Sequence, residues 1–337
     1  MKNILILIIA FFYFSACNRT GHQGCFPPDK LPSHITPLTA FGSRAEWSLD
    51  GNKVFFVDSA GGDVWMVDIN SKKTEKISEP GFRPPGHGYY RVMCLSNGDY
   101  LLTCGPSRHD LYMQVLDKSL DKKPVSISGE QIDEGPALSR KNMKIAWTPH
   151  QDVIFTGEIV YEGGIPKIIN KKLIIDSSNV VVEGIKYRGI LEPQSFRNEE
   201  KELIWSQYGH DTRGVFTSEV MGYDLESGEM VNYSCAPMQY DEPEGIFPGG
   251  EFTLVECDRH NPGGTAFIDI YQLKLDRENP AYTRLTFFSD VEGFRSSNPV
   301  VRDDGKRIAF QASLAGSAAG DGCGLYLFDI DKFSSNP

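Results

Sequence analysis

The chain has 337 residues, of which 40% are hydrophobic and 23% are charged. This composition predicts a packed globular core rather than a disordered chain. The formal net charge of −11 argues against a nucleic-acid partner, since the backbone of nucleic acids is itself anionic.

Residues 1–16 have the three parts of an export signal: a positive start at Lys2, an apolar run from Ile4 to Phe14, and the small residues Ser15 and Ala16. The segment Phe14-Ser-Ala-Cys17 resembles a bacterial lipobox, which predicts a lipid on Cys17. An ordinary cleaved signal and an uncleaved anchor are the alternatives. We expect residues 17–33 to form a tether, and the protein to be held at a membrane of the cell envelope, on its periplasmic side.

Six segments share one pattern, in which a hydrophobic run is followed by a tight polar turn and a second hydrophobic run. Alternating β-branched and aromatic residues between such turns are typical of strands. A hairpin-based repeat of this length predicts a propeller. The copies span 45–56, 92–102, 136–147, 194–205, 244–255 and 299–310.

We therefore predict an all-β fold, with six four-stranded antiparallel blades in residues 34–333. The last repeat supplies only three strands, so residues 34–41 are expected to close the ring and remove an exposed edge. The third repeat is the longest, and residues 159–190 predict an extended hairpin there.

The repeats resemble the Ser-Pro-Asp-Gly-type blades of the TolB-like propeller superfamily. Trp47-Ser-Leu-Asp-Gly51 and Arg302-Asp-Asp-Gly-Lys-Arg-Ile-Ala-Phe310 carry this resemblance most clearly. It implies the fold over residues 41–331. It implies little about function, because propellers have many unrelated activities.

Four histidines follow the second strand of consecutive repeats at nearly the same distance from the turn: His109, His150, His210 and His260. His87 lies in the loop that leads into the second repeat. Loops of these two kinds share one face of a propeller, so we predict that all five histidines lie on that face. Imidazole with carboxylate suits a divalent transition metal such as manganese or zinc, or acid–base chemistry. The simpler interpretation is that polar loops carry histidines.

A second set of residues stands at equivalent positions at the start of the innermost strands: Tyr90, Glu134, Glu192 and Glu242, with Arg44 and Arg91 at the next position. Such residues ring the mouth of the central channel. We predict that they line a ligand site there.

Three functions fit these patterns. Oligogalacturonate lyases resemble this chain in fold and in clustered histidines; the resemblance implies a histidine such as His150 or His210 as the proton-abstracting base, with Arg44 or Arg91 neutralising a carboxylate. The second function is non-catalytic binding of a glycan or other small ligand. The third is a TolB-like scaffold that binds a protein partner.

Six cysteines remain beside Cys17. Cys94 and Cys104 flank one hairpin and are candidates for a disulfide, although the sequence does not determine connectivity. Buried, unpaired cysteines are the alternative.

Overall fold

The structure, a computed structural model, describes residues 24–333. The predicted signal peptide, Cys17 and the first part of the tether lie outside this range. Within it, no helix has the length and apolar character needed to cross a membrane.

The chain forms six four-stranded antiparallel sheets arranged as the blades of a propeller. A short strand, β1 (Ile35–Pro37), precedes the first complete blade. Blade one contains β2 (Ser43–Trp47), β3 (Lys53–Val57), β4 (Val64–Asp68) and β5 (Thr74–Lys76). Blade two contains β6 (Gly88–Cys94), β7 (Tyr100–Ser107), β8 (Asp110–Leu116) and β9 (Val125–Ile132). Blade three contains β10 (Ala137–Leu138), β11 (Lys144–Trp147), β12 (Val153–Glu162) and β13 (Ile165–Asp176).

A separate two-stranded hairpin of β14 (Val181–Val182) and β15 (Ile185–Lys186) follows blade three. Blade four contains β16 (Leu191–Arg197), β17 (Glu202–His210), β18 (Phe216–Asp224) and β19 (Met230–Asn232). Blade five contains β20 (Asp241–Ile246), β21 (Phe252–Cys257), β22 (Asp269–Lys274) and β23 (Tyr282–Arg284). Blade six contains β24 (Phe294–Val301), β25 (Arg307–Leu314) and β26 (Leu325–Asp329). Single 3-10 turns lie at Pro28–Lys30, Ser177–Asn179, Thr265–Phe267 and Phe288–Asp290.

The N-terminal strand closes the ring, as predicted. β1 pairs antiparallel with β26, with Ile35 opposite Phe328, and becomes the fourth strand of blade six. A disulfide between Cys25 and Cys323, with Cα atoms 5.5 Å apart, ties the segment before β1 to the same blade. Ring closure is therefore both hydrogen-bonded and covalent.

The cysteine pair suggested by the sequence is not formed, since Cys94 and Cys104 are free and buried. They lie at opposite ends of the β6–β7 hairpin, where Cys94 faces Tyr100 and Cys104 faces Tyr89 across the ladder. Both thiols pack among apolar side chains of the core between blades one and two.

Blade three carries the predicted extension. β12 and β13 pair over nearly their whole length, from Val153 opposite Asp176 to Glu162 opposite Ile165. The β14–β15 hairpin follows directly. The two hairpins leave exposed apolar side chains at Ile165, Leu173, Val181 and Ile185.

A repeated hydrogen bond joins the third and fourth strands of several blades. In blade one the Ser78 hydroxyl donates to Asp63 (2.8 Å) and accepts from the Val64 backbone nitrogen (3.1 Å). The same bonds occur in blade four, with Ser234, Glu219 and Val220, and in blade five, with Thr286, Asp269 and Ile270. We call this arrangement the blade clasp. It satisfies polar groups at the third strand with the hydroxyl of a residue just beyond the fourth strand.

Five of the six innermost strands contain a bulge at the same position: β2, β6, β16, β20 and β24. Proline stands at or beside the bulge in β16 (Pro193), β20 (Pro243) and β24 (Pro299), where the ladder needs no N–H donor. A bulge re-aims the side chains next to it. In this fold it turns polar residues of the innermost strands toward the central channel.

Candidate functional site in the central channel

Two cavities meet on the propeller axis. The larger has a volume of about 330 Å³ and lies on the face formed by the loops between second and third strands, which we call the b–c face. The smaller, about 130 Å³, lies on the opposite face. Five residues line both cavities and mark the boundary between them: Arg44, Arg91, Glu192, Glu244 and Asn298.

Arg140 reaches across the channel on the side of the smaller cavity. Its guanidinium makes two 3.0 Å bonds to Asp303 of blade six and one of 2.7 Å to Glu46 of blade one. Blades three and six lie on opposite sides of the ring, so this ion pair spans the channel. The larger cavity lies beyond it, toward the b–c face.

Arg44 is the most unusual charged residue in the site. It is 5% exposed, its nearest acidic partner is Glu134 at 3.8 Å, and its Nε and Nη1 are buried without a hydrogen-bond partner. Burial, followed by repulsion from Arg91, lowers the pKa of the guanidinium. Glu134 is contacted more closely by Arg108. Arg44 thus holds two unused donors in a buried place, which costs stability in the ligand-free protein.

Acidic and phenolic groups form the other side of the larger cavity. The Tyr208 hydroxyl lies 2.9 Å from Glu192 and 2.5 Å from Glu242, and Tyr240 also donates to Glu242. Arg91 pairs with Glu192 at 3.3 Å. Burial raises the pKa of Glu242 to about 8, with Glu244 and Glu192 contributing. A carboxyl group that holds a proton near neutral pH both donates and accepts hydrogen bonds.

An apolar wall stands beside these polar groups. Tyr208 and Phe216 stack with ring centres 5.5 Å apart and planes 8° apart, and Tyr240 and Ile268 pack against them. All four side chains line the larger cavity. Convergent polar groups beside an aromatic surface are typical of small-molecule sites.

The five histidines that the sequence predicted to share one face do not converge on a common site. His109 lines the larger cavity and bonds Asp133 at 2.8 Å. His150 and His210 are exposed and contribute nothing to the cavity lining. His87 bonds the Tyr112 hydroxyl at 3.3 Å, and His260 bonds Tyr271 at 2.9 Å and Ser289 at 2.7 Å. The b–c loops join the second and third strands, and they therefore spread outward from the axis.

This geometry does not fit a metal held by several histidines. Among residues 24–333, three groups of acidic and imidazole side chains are close enough to share an ion, and none contains more than one histidine: His109 with Asp133 and Glu134, His260 with Asp269 and Asp290, and Glu242 with Glu244 and Glu256. The expected shared site of His109, His150, His210 and His260 is therefore not assembled.

The second predicted set is placed differently. Arg44, Arg91, Glu134, Glu192 and Glu242 all line the larger cavity. Tyr90 instead packs beside the apolar core of blades two and three. The innermost-strand positions thus locate the cavity, while their role in binding stays a prediction.

Other residues of the cavity were not singled out from the sequence: Arg108, Glu244, Glu256, Arg295 and Asn298. A signal existed for one of them. Glu242-Pro243-Glu244 aligns with Glu192-Pro193-Gln194 at the bulge, so a polar residue at the third position of this pattern was visible in both blades. Arg108 lies just after a second strand and Glu256 lies on one. No repeated sequence pattern indicated either residue.

No protein-family model matches the sequence, and no curated protein is found as a relative. Among solved structures, the fold is similar to a putative TolB from Agrobacterium tumefaciens (TM-score 0.52, 13% identity, 76% of this chain and 79% of that one). It is also similar to an oligogalacturonate lyase from Vibrio parahaemolyticus (TM-score 0.50, 12% identity, 88% and 80%) and to a chain of a mitotic checkpoint complex (TM-score 0.53, 9% identity, 98% and 99%). Identities this low show the fold alone. This chain has the fold of a TolB-like six-bladed β-propeller.

Proposed function

We propose that this protein is an exported propeller that binds a small polar ligand, in the first place a sugar or short oligosaccharide, in the larger cavity on the b–c face. The observation that carries the proposal is the cavity wall, in which the poorly paired charge of Arg44 stands beside carboxyl groups and stacked aromatic rings. Sugar hydroxyls satisfy such donors and acceptors, and the less polar face of a sugar ring packs on an aromatic wall.

The size of the cavity supports a ligand of one or two sugar rings. Its volume of about 330 Å³ is at the lower end of the roughly 300–1,000 Å³ typical of small-molecule sites. The ion pair of Arg140 crosses the channel between the larger cavity and the opposite face, so a long polymer is not expected to thread through the ring. An end of a chain, or a released fragment, fits better.

The geometry favours a cavity that binds its ligand without catalysis. The oligogalacturonate lyase from Vibrio parahaemolyticus is similar in fold, and processing of an oligosaccharide by His150, His210 and Arg91 stays a prediction from the sequence. Only Arg91 of these three lies in the cavity. A base outside the cavity would not reach a ligand bound within it.

The test is a binding screen with matched variants. Wild-type protein is screened by thermal shift against mono- and disaccharides that are neutral, acidic or basic, and hits are titrated by calorimetry. We expect Arg44→Met and Tyr208→Phe to weaken binding at least about tenfold, since each loses a buried polar contact. The double variant His150→Ala/His210→Ala is expected to bind normally. Binding lost only in the double variant would instead support the histidine face.

Export and lipid attachment belong to the same proposal. The Cys25–Cys323 disulfide supports an oxidising compartment such as the periplasm. Detergent-phase partitioning and mass spectrometry of the mature N-terminus would test lipidation. Cys17→Ser is expected to release the protein from the membrane fraction, and unchanged membrane association would contradict the lipid anchor.

A second candidate is a scaffold that binds a protein partner in the cell envelope. It is supported by the exposed apolar side chains of the blade-three hairpins, of which Ile165 is 60% and Ile185 58% exposed. Ile165→Ser/Ile185→Ser should then abolish recovery of a crosslinked envelope protein from cells while sugar binding is unchanged. An identical crosslinking pattern would reject this candidate.

A further inference from the structure

Blade five places two carboxyl groups directly opposite each other in the channel wall. Glu242 of β20 and Glu256 of β21 are partners in the strand register. At the corresponding register positions, Glu192 faces Ser206 in blade four and Ser297 faces Gln311 in blade six. Like charges directly opposite in a sheet are destabilising. The arrangement in blade five is therefore stable only when at least one of the two carboxyl groups is protonated or a cation is bound.

Glu244 adds a third carboxyl group to the same place. One oxygen from each of Glu242, Glu244 and Glu256 lies within 4.8 Å of the other two. The remaining cavity carboxylates have arginine partners, Arg108 for Glu134 and Arg91 for Glu192. Within residues 24–333, no arginine, lysine or histidine forms an ion pair with the three glutamates of blade five. Three acidic groups thus lie together without a direct ion pair, while Arg91 and Arg295 act on Glu244 and Glu256 from a greater distance.

Asn298 supplies an independent indication of a missing partner. This residue is 8% exposed, its backbone nitrogen donates to Glu256 (2.6 Å), and its side-chain nitrogen donates to Glu244 (3.0 Å). The oxygen of the same amide is buried and has no hydrogen-bond partner. A half turn of the amide, which exchanges two atoms of similar size, brings this oxygen beside Glu244.

We propose that Glu242, Glu244 and Glu256 bind one calcium ion, with the side-chain oxygen of Asn298 as a fourth ligand from the protein. All four donors are hard oxygens, which Ca²⁺ prefers and which suit Zn²⁺ poorly. Calcium takes six to eight oxygens, and the cavity leaves room for water at the remaining positions. The three glutamates line the same cavity as the proposed sugar site, but the calcium site is tested with calcium alone, so either proposal can fail without the other.

Mg²⁺ is the closest competitor among cations with this preference. It demands near-octahedral geometry and gives up its water reluctantly. The three carboxylates come from β20 and β21 of blade five, and each can bind an ion through one oxygen or two. Such an adaptable set fits the variable coordination of Ca²⁺ better.

The experiment is a calcium titration of chelator-treated, full-length mature protein by isothermal calorimetry. We expect one saturable site, with a Kd at or below about 1 mM, the range of extracellular calcium modules. Tb³⁺ luminescence excited through tyrosine gives a second readout, because Tyr240 donates to Glu242. Calcium is expected to displace Tb³⁺, and a tenfold excess of magnesium is not.

Glu244→Gln and Glu256→Gln are each expected to weaken calcium binding at least about tenfold, because ligand charge sets the affinity of such sites. Glu46→Gln is the matched control, since Glu46 faces the smaller cavity and pairs with Arg140; it should bind calcium like the wild type. Far-UV circular dichroism verifies folding, and the Tb³⁺ displacement on wild-type protein stands even if a variant fails to fold. Absence of saturable calcium binding, equal binding of magnesium, or wild-type affinity in both folded variants would overturn the proposal.

Discussion

Replacement of Arg44 by methionine is expected to stabilise the protein while it removes ligand binding. Methionine has a similar length and no charge. Arg44 is nearly fully buried, and two of its nitrogens have no partner. Burial and the nearby Arg91 outweigh the attraction of Glu134, since the pKa of this guanidinium lies below its ordinary value. The charge therefore costs stability in the ligand-free protein.

The expected gain in unfolding free energy is about 1–3 kcal/mol. A buried polar group without a partner costs about that much, and replacement of poorly compensated buried charges by apolar residues is stabilising by about 1–4 kcal/mol. Glu134 is not left unpaired, because Arg108 still contacts it. The substitution therefore leaves no further buried group unpaired that would offset the gain in unfolding free energy.

Arg197 provides the matched control. Its guanidinium bonds Glu202 at 2.8 Å, the Gly250 carbonyl at 3.1 Å and the Tyr233 hydroxyl at 3.2 Å. Arg197→Met should therefore lose about 3–5 kcal/mol, the cost of breaking a buried pair. Urea unfolding followed by tryptophan fluorescence compares both variants with the wild type. If Arg44→Met is destabilised as strongly as Arg197→Met, then Arg44 is a structural ion pair and the reasoning fails.

Three further predictions concern the frame around the site. Reduction of the Cys25–Cys323 disulfide should lower the unfolding free energy by roughly 2–5 kcal/mol, because it closes a very long loop; an unchanged melting temperature with reductant would show that β1 closes the ring without it. Burial lowers the pKa of His260, with Arg284 contributing, so the unfolded chain binds its proton more tightly. The stabilisation is complete above about pH 6.5 and is lost as the pH falls below it. Thermal melts of His260→Gln between pH 7 and 5 should then show a smaller loss of stability than wild type, and an equal loss would contradict this assignment. Thr286→Val should cost about 1–3 kcal/mol in urea unfolding, because it leaves Asp269 short of a donor and the Ile270 nitrogen unpaired; a cost near zero would mean that the blade clasp is dispensable.

The propeller itself was predictable because its signals are local. Strands, turns and their repetition are encoded within single hairpins, and the three-stranded last repeat required a strand from elsewhere. The structure confirms the N-terminal closure in β1 and the long hairpin of blade three. The Cys25–Cys323 pair was not predictable, since it depends on where the ring brings residues 298 positions apart.

The site was predictable only in part, because position along a strand does not give distance from the axis. Glu192 and Glu242 lie on innermost strands and reach the channel. His150 follows β11 and His210 ends β17, so both lie at the end of a second strand, one strand further from the axis. Glu256 reaches the channel from a second strand because it faces Glu242 across the ladder. The register between the two strands determines this contact. A bulge shifts the register, and the sequence pattern does not show by how much.

The central claim is that the larger cavity on the b–c face binds a small polar ligand. Its most direct test is calorimetric titration of the sugar found by the thermal-shift screen into wild type, Arg44→Met and the His150→Ala/His210→Ala variant. The account predicts one site per chain in the wild type, at least about tenfold weaker binding in Arg44→Met, and wild-type affinity in the histidine variant. Full affinity in Arg44→Met, or no sugar bound by the wild type at all, would contradict it.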